Sequence, residues 1–148
     1  MSPRADPAGR ARDALGRRVA PGSPEQVPAV SEVALPAAQA VAAARELLAV
    51  GRAFGAHEIF EALWKACPAA ERDLWQGLAQ VCVGLTHLQR GNAVGARTLL
   101  RRGAGHLRDA AGAGLDVIDP VVVADRATAL ADRVAAGAGF TPAALRIV

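Results

Sequence analysis

The sequence predicts an all-α protein: a single multihelical bundle of about five helices over residues 35–148, behind a disordered tail at residues 1–34. Three observations carry this prediction. From Leu35 onward apolar residues recur at spacings of three and four, and no stretch alternates convincingly with period two. Alanine, the strongest helix former, supplies 36 of the 148 residues. Proline, glycine and short polar residues fall where helices of ordinary length would start and stop.

Taken in order, residues 1–34 scatter prolines, glycines and five arginines without sustained periodicity, which predicts disorder. Pro36 suits a first helical turn, and Ala37, Ala40, Val41, Ala44, Leu47 and Leu48 then share one face until Gly51 ends the helix. A second helix runs from about Phe54 to Ala66 and stops at Pro68. The third and longest covers about Ala70 to Arg90 and breaks at Gly91-Asn92. The fourth spans about Ala93 to Ala110 and runs into the loose residues 111–114. Asp119 and Pro120 read as cap and first position of a fifth helix ending near Gly137, and Thr141-Pro142 repeats that start signal for a short final turn. With connections this short, neighbouring helices pack mostly antiparallel.

Composition removes whole classes. A chain of 148 residues suits one domain that buries about two-thirds of its unfolded surface without metal or disulfide help. No run approaches the roughly 18 apolar residues of a membrane span, and no secretory signal is visible. Cys67 and Cys82 have the spacing of neither a zinc site nor a redox pair, so a reducing cytoplasm is expected. The net charge of +3 divides into +2 over residues 1–30 and +1 beyond them. A near-neutral folded part argues against a nucleic-acid binder. Serine occurs only at Ser2, Ser23 and Ser31, all in the tail, which removes a serine nucleophile.

Only five aromatic residues are present, so leucines and those five must supply much of the packing energy. The expected core is Phe54, Phe60, Leu63, Trp64, Leu74, Trp75, Leu78, Leu85, Leu88, Leu99, Leu100, Leu107 and Leu130. Gly77 and Gly84, seven apart on helix three, should let another helix approach closely. On helix four Arg97, Arg101 and Arg108 form a stripe, read as a solvated face with Asp125 and Asp132 of helix five as candidate partners.

The chemically suggestive stretch is Gly55-Ala56-His57-Glu58-Ile59-Phe60-Glu61-Ala62-Leu63-Trp64. At about 100° per residue, Ala56, Ile59, Phe60 and Leu63 face the core, and His57, Glu61 and Trp64 line one border of that face. Glu58 and Lys65 are expected to point to solvent. On helix three Gln76, Gln80 and His87 gather opposite its apolar face, and the two polar stripes would form a cluster if they met. His57-Glu58 begins like a zinc-protease motif, but Glu61 stands where the second histidine is needed. A three-ligand metal site from His57, Glu61 and His87 is a lower-ranked alternative. A ferritin-like di-metal site lacks its carboxylates. The leading reading has Glu61 holding the His57 ring beside Trp64 as a satisfied polar pair.

From about Ala43 to Gly103, about 60 residues, the chain resembles a family of small prokaryotic helical proteins known as domain of unknown function 309. The likeness rests on residues 54–64, on Gln76-Gly77-Leu78-Ala79-Gln80, on His87-Leu88-Gln89-Arg90-Gly91-Asn92, and on Gly95-Ala96 and Leu99-Leu100. Gly55 stands where the family usually has Glu, and Thr86 where an aromatic is frequent. The resemblance implies a multihelical bundle and no established activity. It makes His57, Glu58, Glu61, Trp64, Gln76, Gln80 and Asn92 the residues to test first.

A non-catalytic binding or interaction module ranks first among the functions, with an unidentified protein or small-molecule partner and no cofactor. A small metal-dependent or acid–base enzyme using the His57/Glu61 cluster is the alternative. Small-residue helix faces are compatible with a homodimer, although nothing in the sequence specifies one.

Overall fold

Five helices form where the apolar period places them, in a computed structural model that describes residues 11–112 and 115–148. They are α1 (Ala37–Ala49), α2 (Ala53–Ala66), α3 (Arg72–Gln89), α4 (Ala93–Asp109) and α5 (Pro120–Ala135), with single 3-10 turns at Ala69–Glu71 and Pro142–Arg146. Among the described residues there is no strand, only an isolated bridge between Arg12 and Arg18.

The boundaries have local causes. The Asp119 carboxylate accepts from the Val121 and Val122 amides with Pro120 at the first helical position, and the Asn92 side chain accepts from the Gly95 amide at 3.0 Å. Gly51 reverses the chain between α1 and α2 at φ +79°, a conformation that strains any residue with a Cβ. Helix α3 starts two residues later than the sequence suggests. Pro68 leaves the chain extended, and the next turn closes through a tighter bond from the Glu71 amide to the Pro68 carbonyl at 3.0 Å.

Helix α3 is the central element, packed against α2 on one side and α4 on the other. Helix α5 packs on α4, α1 on α2, and the C-terminal turn returns to α1. The glycines of α3 do what their spacing predicts. A Cβ on Gly77 would lie 2.8 Å from the Leu107 side chain, and one on Gly84 would lie 2.8 Å from that of Leu100. Gly103 of α4 completes this seam, since its Cβ would lie 2.8 Å from the Gly77 carbonyl. On the other side, Phe60 and Trp75 stack at 6.2 Å between α2 and α3, and the buried indole donates to Glu71.

Most of the expected core is buried, but Phe54, Trp64 and Leu99 are only partly so. Leu48, Val81, Cys82 and Val123 are fully enclosed, together with a layer of alanines from every long helix. Alanine buries little area per residue, so these positions act by letting helices close up around the larger side chains.

Residues 1–10 of the tail expected to be disordered lie outside the described residues. Residues 11–34 instead follow a defined, non-helical path against the start of α2. Ala11 is buried, the Arg12 guanidinium sits 4.9 Å over the Phe54 ring, and Gly16 (φ +76°) packs so tightly on that ring that a Cβ would overlap it. Two arginines from the bundle pin the segment, Arg90 to the Leu15 carbonyl at 2.9 Å and Arg52 to the Pro28 carbonyl at 2.7 Å. These contacts link residues 24 and 75 positions apart, which no local periodicity encodes.

Candidate binding site between helices α2 and α3

The stripes of α2 and α3 do meet. His57, Glu61 and Trp64 from α2 face Gln76, Ala79, Gln80 and Val83 from α3 across a half-open cleft of about 100 Å³. It opens at the edge of the interface that the Phe60–Trp75 stack holds, so its walls are helix surfaces anchored in the core.

Glu61 is the hub. One carboxylate oxygen lies 3.3 Å from His57 Nε2 and the other 3.2 Å from Lys65 Nζ, each partner one helical turn away. The His57 side chain is 17% exposed and that of Glu61 33%, so the pair sits at the rim and is not fully enclosed. Behind it the Phe54 ring tilts against the imidazole with centroids 5.1 Å apart, and beyond Phe54 comes the Arg12 guanidinium.

Two polar atoms at this interface, His57 Nδ1 and Gln80 Oε1, are shut off from solvent with no hydrogen-bond partner among the described residues. The Phe54 carbonyl bears on the ring and favours its protonated form without reaching full hydrogen-bond geometry with Nδ1. Burial pushes the His57 pKa down, outweighing the opposing pull of the Glu61 carboxylate and the Phe54 carbonyl. The pair expected from the sequence is in contact through Nε2, while Nδ1 has no partner among the described residues.

Glu58 departs from expectation. It is half-buried beneath the N-terminal segment, on the wall of a cleft of about 280 Å³ lined also by Arg12, Val30, Arg52 and Phe54. Burial raises its pKa, against the lowering influence of Arg12 and Arg52. A helical wheel assigns this position to solvent because it cannot register a cover arriving from residues 11–34.

His87 does not join the cluster. It lies seven residues beyond Gln80, roughly 10 Å along the axis, near the end of α3. There its Nδ1 meets the Asn92 side-chain amide at 3.2 Å, and the same Asn92 caps α4. Both residues therefore serve the α3–α4 corner. The three-ligand alternative of His57, Glu61 and His87 is not assembled, and among the described residues no three His, Cys, Asp or Glu side chains converge as a metal site requires.

The arginine stripe of α4 is partly engaged within the chain. Arg101 reaches Asp132 and Arg108 reaches Asp125, both at 3.4 Å and exposed. Cys67 and Cys82 are unpaired, and burial raises both thiol pKa values, that of Cys82 far above the physiological range. Sequence reasoning missed His106, which meets Asp73 at 2.9 Å and ties α4 to the first turn of α3. The partners are 33 residues apart, and no motif announces them.

The family model of a domain of unknown function, DUF309, matches residues 41–99. Residues 41–99 are thus similar to this family. The match runs from the second turn of α1 into α4, so all the residues of the α2–α3 cleft fall within the matched segment. The docked residues 11–34 and all of α5 fall outside it. No curated protein and no solved structure matches the chain. Among the described residues, no helix is long and apolar enough to cross a membrane.

Proposed function

We propose that the protein is a small, non-catalytic binding module of the cytoplasm whose ligand site is the α2–α3 cleft. One observation carries the reading: the stripes of α2 and α3 converge on a cleft that sets the partly exposed Glu61 carboxylate beside the partly exposed Trp64 indole, while His57 Nδ1 and Gln80 Oε1 of the same two helices have no partners among the described residues. A buried acceptor left unpaired costs about 1–3 kcal/mol, a large share of a small domain's stability. A purely structural lock has no reason to carry two such losses in one place. Polar groups that converge in a pocket and are left incomplete by the fold are what a binding site requires. The two unpaired cysteines support the cytoplasmic assignment.

The enzyme alternative gains less support. Metal-assisted chemistry on this site would need His87 beside His57 and Glu61, and the fold takes it to another corner. Acid–base chemistry would rest on His57 and Glu61 alone, because α3 contributes two glutamines, an alanine and a valine and no titratable group to the cleft.

A fragment titration followed by ¹H–¹⁵N NMR tests the proposal. Trp64 and Trp75 each carry one indole N–H, and Trp75 is fully buried and serves as internal reference. Charged and neutral fragments should include some that shift the Trp64 indole saturably and leave Trp75 in place, with the response lost in Gln80→Leu. A library in which no fragment moves Trp64 at millimolar concentration would refute the binding reading.

A further inference from the structure

We propose that residues 11–28 are a releasable latch that sets the α2–α3 cleft through a single ring, Phe54. Docked, the latch holds that ring against His57; released, it frees both. The regulatory meaning rests on the binding reading above, whereas the mechanical link stands without it.

The latch is built to open on its own. Among residues 11–28 only Ala11 and Gly16 are buried. Its shape comes from bonds within itself, from the Val19 amide to the Ala11 carbonyl and from the Val27 amide to the Arg12 carbonyl, both at 3.0 Å. The bundle holds it by guanidinium groups in exposed contacts, Arg90 on the Leu15 carbonyl and Arg52 on the Pro28 carbonyl. Beyond Pro28 the chain changes character, because Val30 and Ala34 rest against the hydrophobic core. A segment with few buried apolar contacts and exposed polar ties opens at a free energy well below that of the whole domain.

Phe54 is where the latch meets the cleft. Its ring lies outside the hydrophobic core to which Phe60 and Trp75 belong. A Cβ on Gly16 would overlap that ring, the Arg12 guanidinium sits 4.9 Å from its centroid, and the His57 ring is 5.1 Å away between centroids. A phenylalanine inside the core would keep its place with the segment gone; this one takes its position from the latch. His57 carries the change onward, since its Nε2 is 3.3 Å from the Glu61 carboxylate at the cleft rim.

Charge gives the link a sign. The charged side chains that bear on His57 are Glu61 and Lys65 of α2 and Arg12 of the latch, while α3 brings only Gln76, Ala79, Gln80 and Val83 to the cleft. Burial, aided by Lys65 and Arg12, holds the His57 pKa down against the pull of Glu61 and the Phe54 carbonyl. Release withdraws the Arg12 charge and loosens the Phe54 cover, so it raises that pKa. By linkage, proton uptake at His57 favours release in the same measure.

The test uses the full chain and two variants that loosen the latch from different sides. Arg90→Ala removes the hold on the Leu15 carbonyl and leaves Phe54 and His57 themselves unaltered, and Gly16→Ala drives a Cβ into the Phe54 ring. In both, the Val27 amide should exchange with solvent about tenfold faster, the scale of one lost hydrogen bond. The His57 ring and Trp64 indole resonances should move with it, and the His57 pKa read by NMR should rise towards the ordinary 6.5. The fully buried Trp75 indole should stay in place. Faster exchange with His57 and Trp64 unmoved would overturn the coupling. Unchanged exchange in either variant, or a Trp75 indole that moves with the latch, would overturn the latch, because the segment would not then open on its own. Fragments that shift Trp64 in the unaltered chain should bind about fivefold more weakly to Arg90→Ala, the low end for linked sites. Equal affinity would overturn the regulatory role. A library without a binding fragment removes the binding reading and that role with it, and the exchange and pKa results still decide the link from latch to His57.

Discussion

Replacing Gln80 by leucine should make the protein more stable while abolishing binding. Gln80 Oε1 is sealed and unpartnered, and its amide makes no hydrogen bond among the described residues. Leucine matches glutamine closely in helix propensity, so the backbone contributes almost nothing to the difference. Removing the unpaired acceptor returns part of the 1–3 kcal/mol that stranding it costs. Because the side chain is only half-buried, the lower part of that range applies, about 1–1.5 kcal/mol. For a chain of this length that corresponds to a rise of about 2–6 °C in the unfolding midpoint. Gln89→Leu is the matched control. Its Oε1 is equally orphaned, but its amide nitrogen donates to the Gly51 carbonyl at 2.8 Å at the α1–α2 corner. Losing that bond strands the carbonyl and outweighs the same gain, for a net loss of about 1 kcal/mol. Urea denaturation followed by circular dichroism at 222 nm measures both. Two changes of the same sign would refute the reasoning, because the variants share the orphaned oxygen and differ in what the nitrogen does.

Glycine packing gives a second pair two residues apart on α4. Gly105→Ala meets open space and should gain about 0.5–1 kcal/mol, whereas Gly103→Ala drives a Cβ to 2.8 Å from the Gly77 carbonyl and should lose about 1–3 kcal/mol net; equal stability in both would show that the α3–α4 seam has slack. Acidification should weaken the fold through His57. Its folded pKa lies below the ordinary 6.5, so the unfolded chain takes up the proton first, and this contribution, complete above pH 6.5, is lost as pH falls towards the folded value. A His57→Leu variant should flatten that part of the stability–pH curve, and an unchanged slope would assign it to another group. Elemental analysis of protein purified without a histidine tag should find no stoichiometric zinc, iron or manganese; a stoichiometric metal lost in His57→Ala would restore the metal-dependent alternative. Gly16→Ala should release the N-terminal segment, because φ +76° and the Phe54 ring both exclude a Cβ, and proteolysis within residues 11–34 should accelerate while α1–α5 persist.

The helices were legible because each carries its own signals. Asp119-Pro120 announces a start, Gly51 and Gly91-Asn92 announce stops, and the apolar period between them fixes which side is buried. The α3–α4 seam was legible for a related reason, since two glycines seven apart on one helix leave a groove that some neighbour must fill. The cleft was half legible. The stripes of α2 and α3 follow from angles along each helix, and antiparallel neighbours bring His57, Glu61 and Trp64 to Gln76 and Gln80. His87 was misplaced because a wheel has no axial coordinate: it shares an angle with the cluster but stands two turns beyond it. Glu58 and the docking of residues 11–34 were illegible in principle from periodicity, because Arg12, Gly16, Arg52 and Arg90 make contacts that depend on where distant backbone carbonyls and one ring arrive in space.

The two sides of α3 explain why the cleft lies where it does. Towards α4 the helix presents Gly77 and Gly84, and the backbones close until no Cβ fits between them. Towards α2 it presents Trp75 against Phe60, a pair of rings at 6.2 Å that holds the helices further apart. At the edge of that spacer the gap must be filled by long side chains, and the sequence supplies glutamines there instead of leucines. Leucines would have closed the interface with no sealed acceptor left over. Glutamines leave a polar opening whose walls are rigid helices, so a ligand entering it orders few side chains and no loop, which keeps the entropic cost of binding small. A cleft of about 100 Å³ can offer only modest contact area, and low ordering cost is the condition under which so small a site binds at all.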